Sequence, residues 1–195
     1  MSTSVDKKSR APRLSAAQSR ERIAAAARLA FTRAGYDTIG VREIAAEAGI
    51  DAAMVPRLFG SKELLFTQIA ADAFALEPVF EGPSDGLGER VARYLLGPIE
   101  PAEPDSFDAF AFLLRSVGSP VAAPILAAAL HADFIEALAA RLDGPAAAAR
   151  AAMITAYVLG FAVLRAALGS PALDAAEPAW IVGKLGAAIQ ACVDV

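Results

Sequence analysis

The sequence predicts an all-α protein: an N-terminal three-helix helix-turn-helix domain, joined by a fourth helix to a C-terminal helical bundle, about nine helices in all. Three observations carry this. Apolar residues make up 56% of the 195 residues, and much of that share is alanine, which favours helix over strand. Apolar positions recur at helical spacing, and no segment alternates as a strand would. Breaks rich in proline and glycine separate the periodic stretches. The expected division is a basic arm at 1–13, a helix-turn-helix domain at 14–62 and a helical body at 63–195.

The first helix opens at Ser15, where Gln18 completes a capping box, and continues through Ile23, Ala26, Ala27, Ala30 and Phe31. Gly35 is its expected left-handed end. "VREIAAEAG" reads as a short helix closed by Gly49. Asp51 can cap the third helix and Ser61 the fourth, which is expected to run toward Pro78. After "EPVFEGPSDGLG" comes the helix "ERVARYLL"; after "GPIEPAEPD", Ser106 starts "FDAFAFLLRSVG". A further helix is expected from about Pro120 to Leu142. The next begins at Pro145, a favoured first helical residue, and runs to about Leu168. A loop, "GSPALDAAEP", precedes the last helix from Pro178.

Charge is divided along the chain. Through Glu63 there are 11 Lys and Arg against 7 Asp and Glu; beyond it there are 7 against 15. A basic first third on an acidic body suggests that only the first third faces a polyanion. The N-terminal residues lack the apolar core of a signal peptide. The apolar run "AAMITAYVLGFAVL" spans 14 residues, short of the ~20 that cross a bilayer, so a buried helix and a cytoplasmic protein without membrane contact are expected. The single Cys192 fits a reducing compartment and reads as a small buried apolar residue. No catalytic set, metal-ligand spacing or phosphate loop is present, which argues against an enzyme and implies no cofactor or metal.

Two short helices meeting at "AEAGID" have the form of a helix-turn-helix, with Ile44, Ala45 and Ala48 toward the core and Gly49 at the turn. "IAAAARLAFTRAGYDTIGVREIAAEAGI" followed by "LFGSKELLF" resembles the DNA-binding domain of TetR-family transcriptional regulators. "FLLRSVGSP", "LDGPAAAARAAMITAYVLGFAVLRAALGSPAL" and the closing helix are similar to a C-terminal ligand-binding class of that family. The resemblance implies a homodimer placing two reading helices in successive major grooves of a double-stranded, pseudo-palindromic operator, and a small-molecule effector that releases it. Repression is the family's commoner sign. The alternative is a dimeric helical interaction module whose helix-turn-helix no longer binds DNA specifically.

The resemblance implies a phosphate contact for Lys62, and Arg42 in the first turn of helix two is a phosphate or groove-edge candidate. In helix three, Asp51 is followed by Ala52, Ala53 and Met54, where apolar side chains can meet thymine methyls. Pro56 stands where the family usually has an aromatic residue that touches the DNA backbone. Arg57 is then the main base reader. With Asp51 as cap, Pro56 is the fifth helical residue, deprives the Ala52 carbonyl of a donor, and predicts a kink. The arm residues Lys7, Lys8, Arg10 and Arg13 are expected, with Arg57, to replace the phosphate anchoring that a proline at position 56 cannot provide.

In the body, Phe107, Phe110, Phe134, Tyr157 and Phe161 are candidates for an effector pocket, against the alternative that such aromatics are ordinary core. Arg115 would bind an acidic ligand there or pair with a core carboxylate. Arg165 also needs a partner inside its apolar segment. His131 reads as a surface or internally satisfied residue rather than a ligand contact. The helices from Pro145 and Pro178 are the dimer candidates, through Ala156, Gly160, Leu164, Trp180, Ile181, Leu185 and Ile189. An all-round apolar helix needs more partners than a small bundle offers.

Overall fold

The computed structural model describes residues 14–98 and 106–194. Those residues form α-helices with no strand among them, as the composition predicts. The basic arm with Lys7, Lys8, Arg10 and Arg13 lies outside the described residues.

Helix α1 (Ala16–Thr38) starts on the expected capping box: the Gln18 N–H donates to Ser15 Oγ at 3.2 Å, and the Ser15 N–H to Gln18 Oε1 at 2.9 Å. Gly35 does leave helical geometry, at φ 76° and ψ 175°, and one more turn follows to Thr38. Helix α2 (Val41–Ala48) has no side chain to cap it at Gly40, and Glu43 reaches back to the Gly40 N–H at 2.6 Å. Gly49 closes α2 at φ 64°, and the Ile50 N–H returns to the Ala45 carbonyl at 2.9 Å. Helix α3 (Met54–Phe59) then crosses the core formed with α1 and α2, burying Val55 and Phe59.

Ser61 caps α4 (Lys62–Ala70), accepting from the Leu64 N–H at 3.0 Å. This helix ends about two turns before the expected stop near Pro78. The chain leaves it so that Phe74 and Phe80 enter the core, Phe80 on a short 3₁₀ turn at Pro78–Phe80. Local alanine-rich propensity is overridden here by tertiary burial of two aromatics.

The body holds α5 (Leu87–Leu95), α6 (Ala109–Ser116), α7 (Ala122–Leu130), α8 (Glu136–Ala139), α9 (Ala147–Ala162), α10 (Pro171–Asp174) and α11 (Pro178–Val193). A π-helical turn at His131–Ile135 joins α7 to α8, and another at Val163–Ala167 extends α9. Counting α7 and α8 as one gives ten helices among the described residues, against about nine expected. The additional one, α10, occupies what reads as a loop. Asp108, not Ser106, caps α6, accepting from the N–H groups of Phe110 and Ala111 at 2.9 and 3.0 Å. Pro145 does not open α9: Ala146 takes a left-handed φ of 56° and the helix begins at Ala147.

Helices α5 and α11 pack closely at a pair of glycines, Gly88 and Gly186. A Cβ added at Gly88 would lie 2.1 Å from the Gly186 carbonyl oxygen, so only glycine permits this approach. Gln190 Oε1 accepts the Gly88 N–H at 3.0 Å beside it.

Segments Ala122–Ala139 and Ala147–Ala167 are each long and apolar enough, by length and composition, to cross a membrane. The 14-residue run between Arg150 and Arg165 does not predict this, because the helix includes both arginines. Each guanidinium is committed to carbonyls of the bundle. Arg150 donates to Val193 at 2.8 Å and Cys192 at 3.3 Å, closing the end of α11. Arg165 donates to the carbonyls of Leu95, Leu96 and Gly97 and caps α5. The partner each charge needs is therefore a helix end, not a carboxylate.

Candidate nucleic-acid interface and effector cavity

The segment that would enter a groove is α3 with the residues at its two ends, and Ala53, Pro56, Arg57 and Gly60 are exposed there. At spacings of three and four residues they share one face. Pro56 produces no kink. The chain turns first at Ala52 and Ala53, with the Met54 N–H donating to the Asp51 carbonyl at 2.9 Å and the Val55 N–H to that of Ala52 at 3.2 Å. The helix proper begins at Met54, so Pro56 falls in its first turn, where an N–H has no intrahelical partner to lose. Displacing the helix start satisfies the Ala52 carbonyl that the expected register would orphan.

Asp51 does not cap the third helix in the expected way; its Oδ1 accepts the Ala53 N–H at 2.9 Å across the turn. Ala52 and Met54, expected among the groove-facing residues, are half-buried against the core, whereas Ala53 is exposed. Arg57 is exposed and makes no hydrogen bond or ion pair with another described residue. Arg42 is likewise exposed in the first turn of α2.

Lys62, the expected phosphate contact, is also bonded inside the subunit. Its Nζ donates to the carbonyls of Tyr36 and Ile39, both at 2.8 Å, and lies 4.0 Å from the Tyr36 ring centroid. Burial holds the ammonium below the usual lysine range, against the opposing pull of Asp37 and Glu43. The same burial, with Glu63 and Asp37 nearby, raises the Tyr36 phenol. Lys62 thus ties the start of α4 to the end of α1. Lys62→Met is expected to cost about 2 kcal/mol, because two carbonyls lose a charged donor. Differential scanning calorimetry would show the midpoint falling by about 4–8 °C; an unchanged midpoint would contradict the role.

Sequence reasoning missed Arg20. Its Nη1 donates to the Leu58 carbonyl at 2.5 Å, its Nη2 to Gln68 Oε1 at 2.9 Å, and its guanidinium lies 4.4 Å from the Phe59 ring centroid. A cation at the C-terminal end of a six-residue helix holds it against α1 and α4. Nothing local marks Arg20 for this, since its partners are 38 and 48 residues away.

Within the body a cavity of about 200 Å³, open on one side, lies between the segment 73–77 that follows α4, α6, α7 with its π turn, and α9. Of the pocket candidates, Phe110 and Phe134 line it, together with Phe74, Leu113, Leu130, Thr155, Val158 and Leu159. The other pocket candidates are elsewhere. Phe107 packs on Phe112 at 5.5 Å between ring centroids. Arg115 and Tyr157 are exposed, and Phe161 is half-buried away from the cavity. A neighbouring space of about 310 Å³ shares Phe110, Leu113, Leu130 and Leu159.

Of the dimer candidates, Ala156, Gly160, Leu164 and Trp180 are exposed. Ile181 and Ile189 instead face the subunit's own core, and Leu185 packs half-buried against it. Helix α11 therefore turns its isoleucines inward to α5 and α9. Met153, Tyr157, Leu164 and Leu168 continue the exposed apolar stripe of α9 and its π turn. His131 is exposed, as expected, with Nε2 3.4 Å from Glu136, and Cys192 is buried.

The two parts of the chain meet where α1 ends against α6. The Tyr36 N–H donates to Ser116 Oγ at 3.1 Å, and Ser119 Oγ donates to Asp37 Oδ1 at 2.8 Å. A Cβ at Gly35 would lie 2.2 Å from the Arg115 carbonyl oxygen. The helix that carries Phe110 and Leu113 into the cavity is thus bonded at its far end to the helix-turn-helix.

Residues 23–69 match the family model for bacterial regulatory proteins of the tetR family, and residues 85–193 match that of the tetracyclin repressor-like C-terminal domain. Among solved structures, a TetR-family regulator from Streptomyces coelicolor A3 is 28% identical, with a TM-score of 0.53 over 94% of this chain and 99% of that one. A transcriptional regulator from Rhodococcus sp. Rha1 is 26% identical, with a TM-score of 0.55 over 89% and 95%. No curated protein matches the chain.

Proposed function

This chain belongs to the TetR family of DNA-binding transcriptional regulators, and we propose that it acts as a homodimeric repressor of a pseudo-palindromic operator, released by a small-molecule effector. The observation that carries the reading is the exposed face of α3. It offers Arg57 free of internal partners, flanked by the apolar Ala53 and Pro56, while the opposite face is locked by Val55, Phe59 and Arg20. Arg57 reads a guanine edge, Ala53 and Pro56 contact thymine methyls, and Arg42 with the basic arm at 1–13 meets phosphates. Residues 14–62 form the DNA-binding part and 63–195 the effector and dimer part, and the protein works in the cytoplasm, where its DNA is.

Effector control runs through α6. A ligand between Phe110, Leu113 and α9 displaces α6, and the Ser116–Tyr36 and Ser119–Asp37 hydrogen bonds carry that displacement to α1. The spacing of the two heads changes, and the operator-binding population falls. The dimer is made by the exposed stripe of α9 with Trp180 of α11, so that Ala156, Gly160 and Leu164 meet a second copy.

A second reading, a dimeric module without specific DNA binding, is favoured by the commitment of Lys62 to internal carbonyls and by the single donor on α3. Arg57→Ala separates the two. It is expected to leave the melting midpoint unchanged and to weaken operator binding about 10- to 100-fold, the worth of one bidentate base contact. Equal affinity of the variant and the parent in fluorescence anisotropy would favour the module.

A further inference from the structure

We infer that the 200 Å³ cavity takes a compact organic ammonium, an apolar body of about one ring bearing a protonated amine, and rejects carboxylates. Size follows from comparison: a cavity of about 150 Å³ lined by apolar side chains holds a benzene ring. Polarity follows from the lining. Among the described residues, two polar side chains reach this cavity, Glu77 and Thr155, and no lysine, arginine or histidine does. Glu77 is an exposed carboxylate at the rim, an acceptor with no donor when ionised. Thr155 is buried, and its one hydroxyl hydrogen is already given to the Ala151 carbonyl at 2.8 Å. The Thr155 hydroxyl therefore has only a lone pair left to offer a ligand. The two polar side chains accept hydrogen bonds and neither can donate one.

A ligand that fills this space must bring the donor. Phe74, Phe110 and Phe134 add ring surfaces that favour a cation, while a carboxylate would meet no donor among the described lining side chains and would be repelled by Glu77. Arg115, the residue expected to recruit an acidic ligand, is exposed and outside the lining.

The test is isothermal titration of the full-length protein with three compounds of one body: 2-phenylethylamine, 2-phenylethanol and 3-phenylpropanoate. The expected order is amine, then alcohol, with no saturable binding of the carboxylate. Glu77→Gln should weaken the amine about five-fold and leave the alcohol unchanged, as suits a rim carboxylate. Thr155→Val should weaken both donors, and Val158→Phe, which fills the space, should abolish both. Carboxylate binding as tight as the amine's, an amine indifferent to Glu77→Gln, or no saturable binding in the series would each overturn the inference. This assignment rests on the effector reading of the cavity only for release. If the amine binds as described and bound operator is not released, the effector reading fails and the ligand class stands.

Discussion

Gly35→Ala is expected to destabilise the protein by about 4 kcal/mol. Two effects add at this position. Its φ of 76° and ψ of 175° lie in a region open essentially to glycine, and forcing another residue there costs about 1–3 kcal/mol. The new methyl would also stand 2.2 Å from the Arg115 carbonyl oxygen, a backbone atom that cannot swing aside as a side chain can. Overpacking of that kind costs about 1–3 kcal/mol more. For a chain of this length the melting midpoint should fall by about 8–16 °C in scanning calorimetry. Gly118→Ala is the matched control, because a Cβ there meets nothing within 4 Å. A Gly35→Ala midpoint equal to that of Gly118→Ala would mean that α1 and α6 are not held together as described. Any folded fraction should also respond poorly to effector, since the hydrogen bonds of Tyr36 and Asp37 to α6 begin beside Gly35.

Gly160→Arg is expected to convert a dimer into a monomer. Gly160 is exposed on α9, and a Cβ built on it meets nothing within 4 Å, so the arginine fits the isolated subunit without strain. In a symmetric interface each copy places the same position near the seam, and two guanidinium groups would enter an apolar contact together. Light scattering should give the mass of one chain for the variant and of two for the parent. Operator affinity should fall about 100-fold or more, because the second half-site is no longer bound intramolecularly. A variant that remains dimeric would place the interface elsewhere than on the stripe of Met153, Tyr157, Gly160 and Leu164.

Local signals in the sequence locate much of this architecture. Ser15 with Gln18, Gly49, Ser61 and Pro178 act within a few residues of themselves, and each marks a helix end where the structure has one. What is not legible depends on residues distant in the chain. The early end of α4 follows from where Phe74 and Phe80 are buried. Arg20, Lys62, Arg150 and Arg165 look like surface or awkwardly placed charges until the carbonyls they cap are known. Pro56 is a third case. The sequence shows what a proline forbids, but the helix avoids the expected kink by starting two residues later, at Met54.

The inward face of α9 is not legible for a similar reason. Phe110 and Phe134 line the cavity, whereas Tyr157 and Phe161 sit on the other side of α9 from Thr155, Val158 and Leu159. A helix apolar all round gives no periodicity from which to choose the inward face. The same ambiguity assigns Ile181 and Ile189 of α11 to the interface, when they belong to the core.

The most direct test of DNA-specific regulation is fluorescence anisotropy with two duplexes of equal length, titrated across a range of salt concentrations. One carries a palindrome from the DNA upstream of the coding region and the other its scrambled sequence. The expected result is binding of the palindrome tighter by about 1,000-fold or more, at two chains per duplex, with both affinities falling linearly in log salt. Equal affinity for the two duplexes at every salt concentration would contradict specific operator recognition by α3.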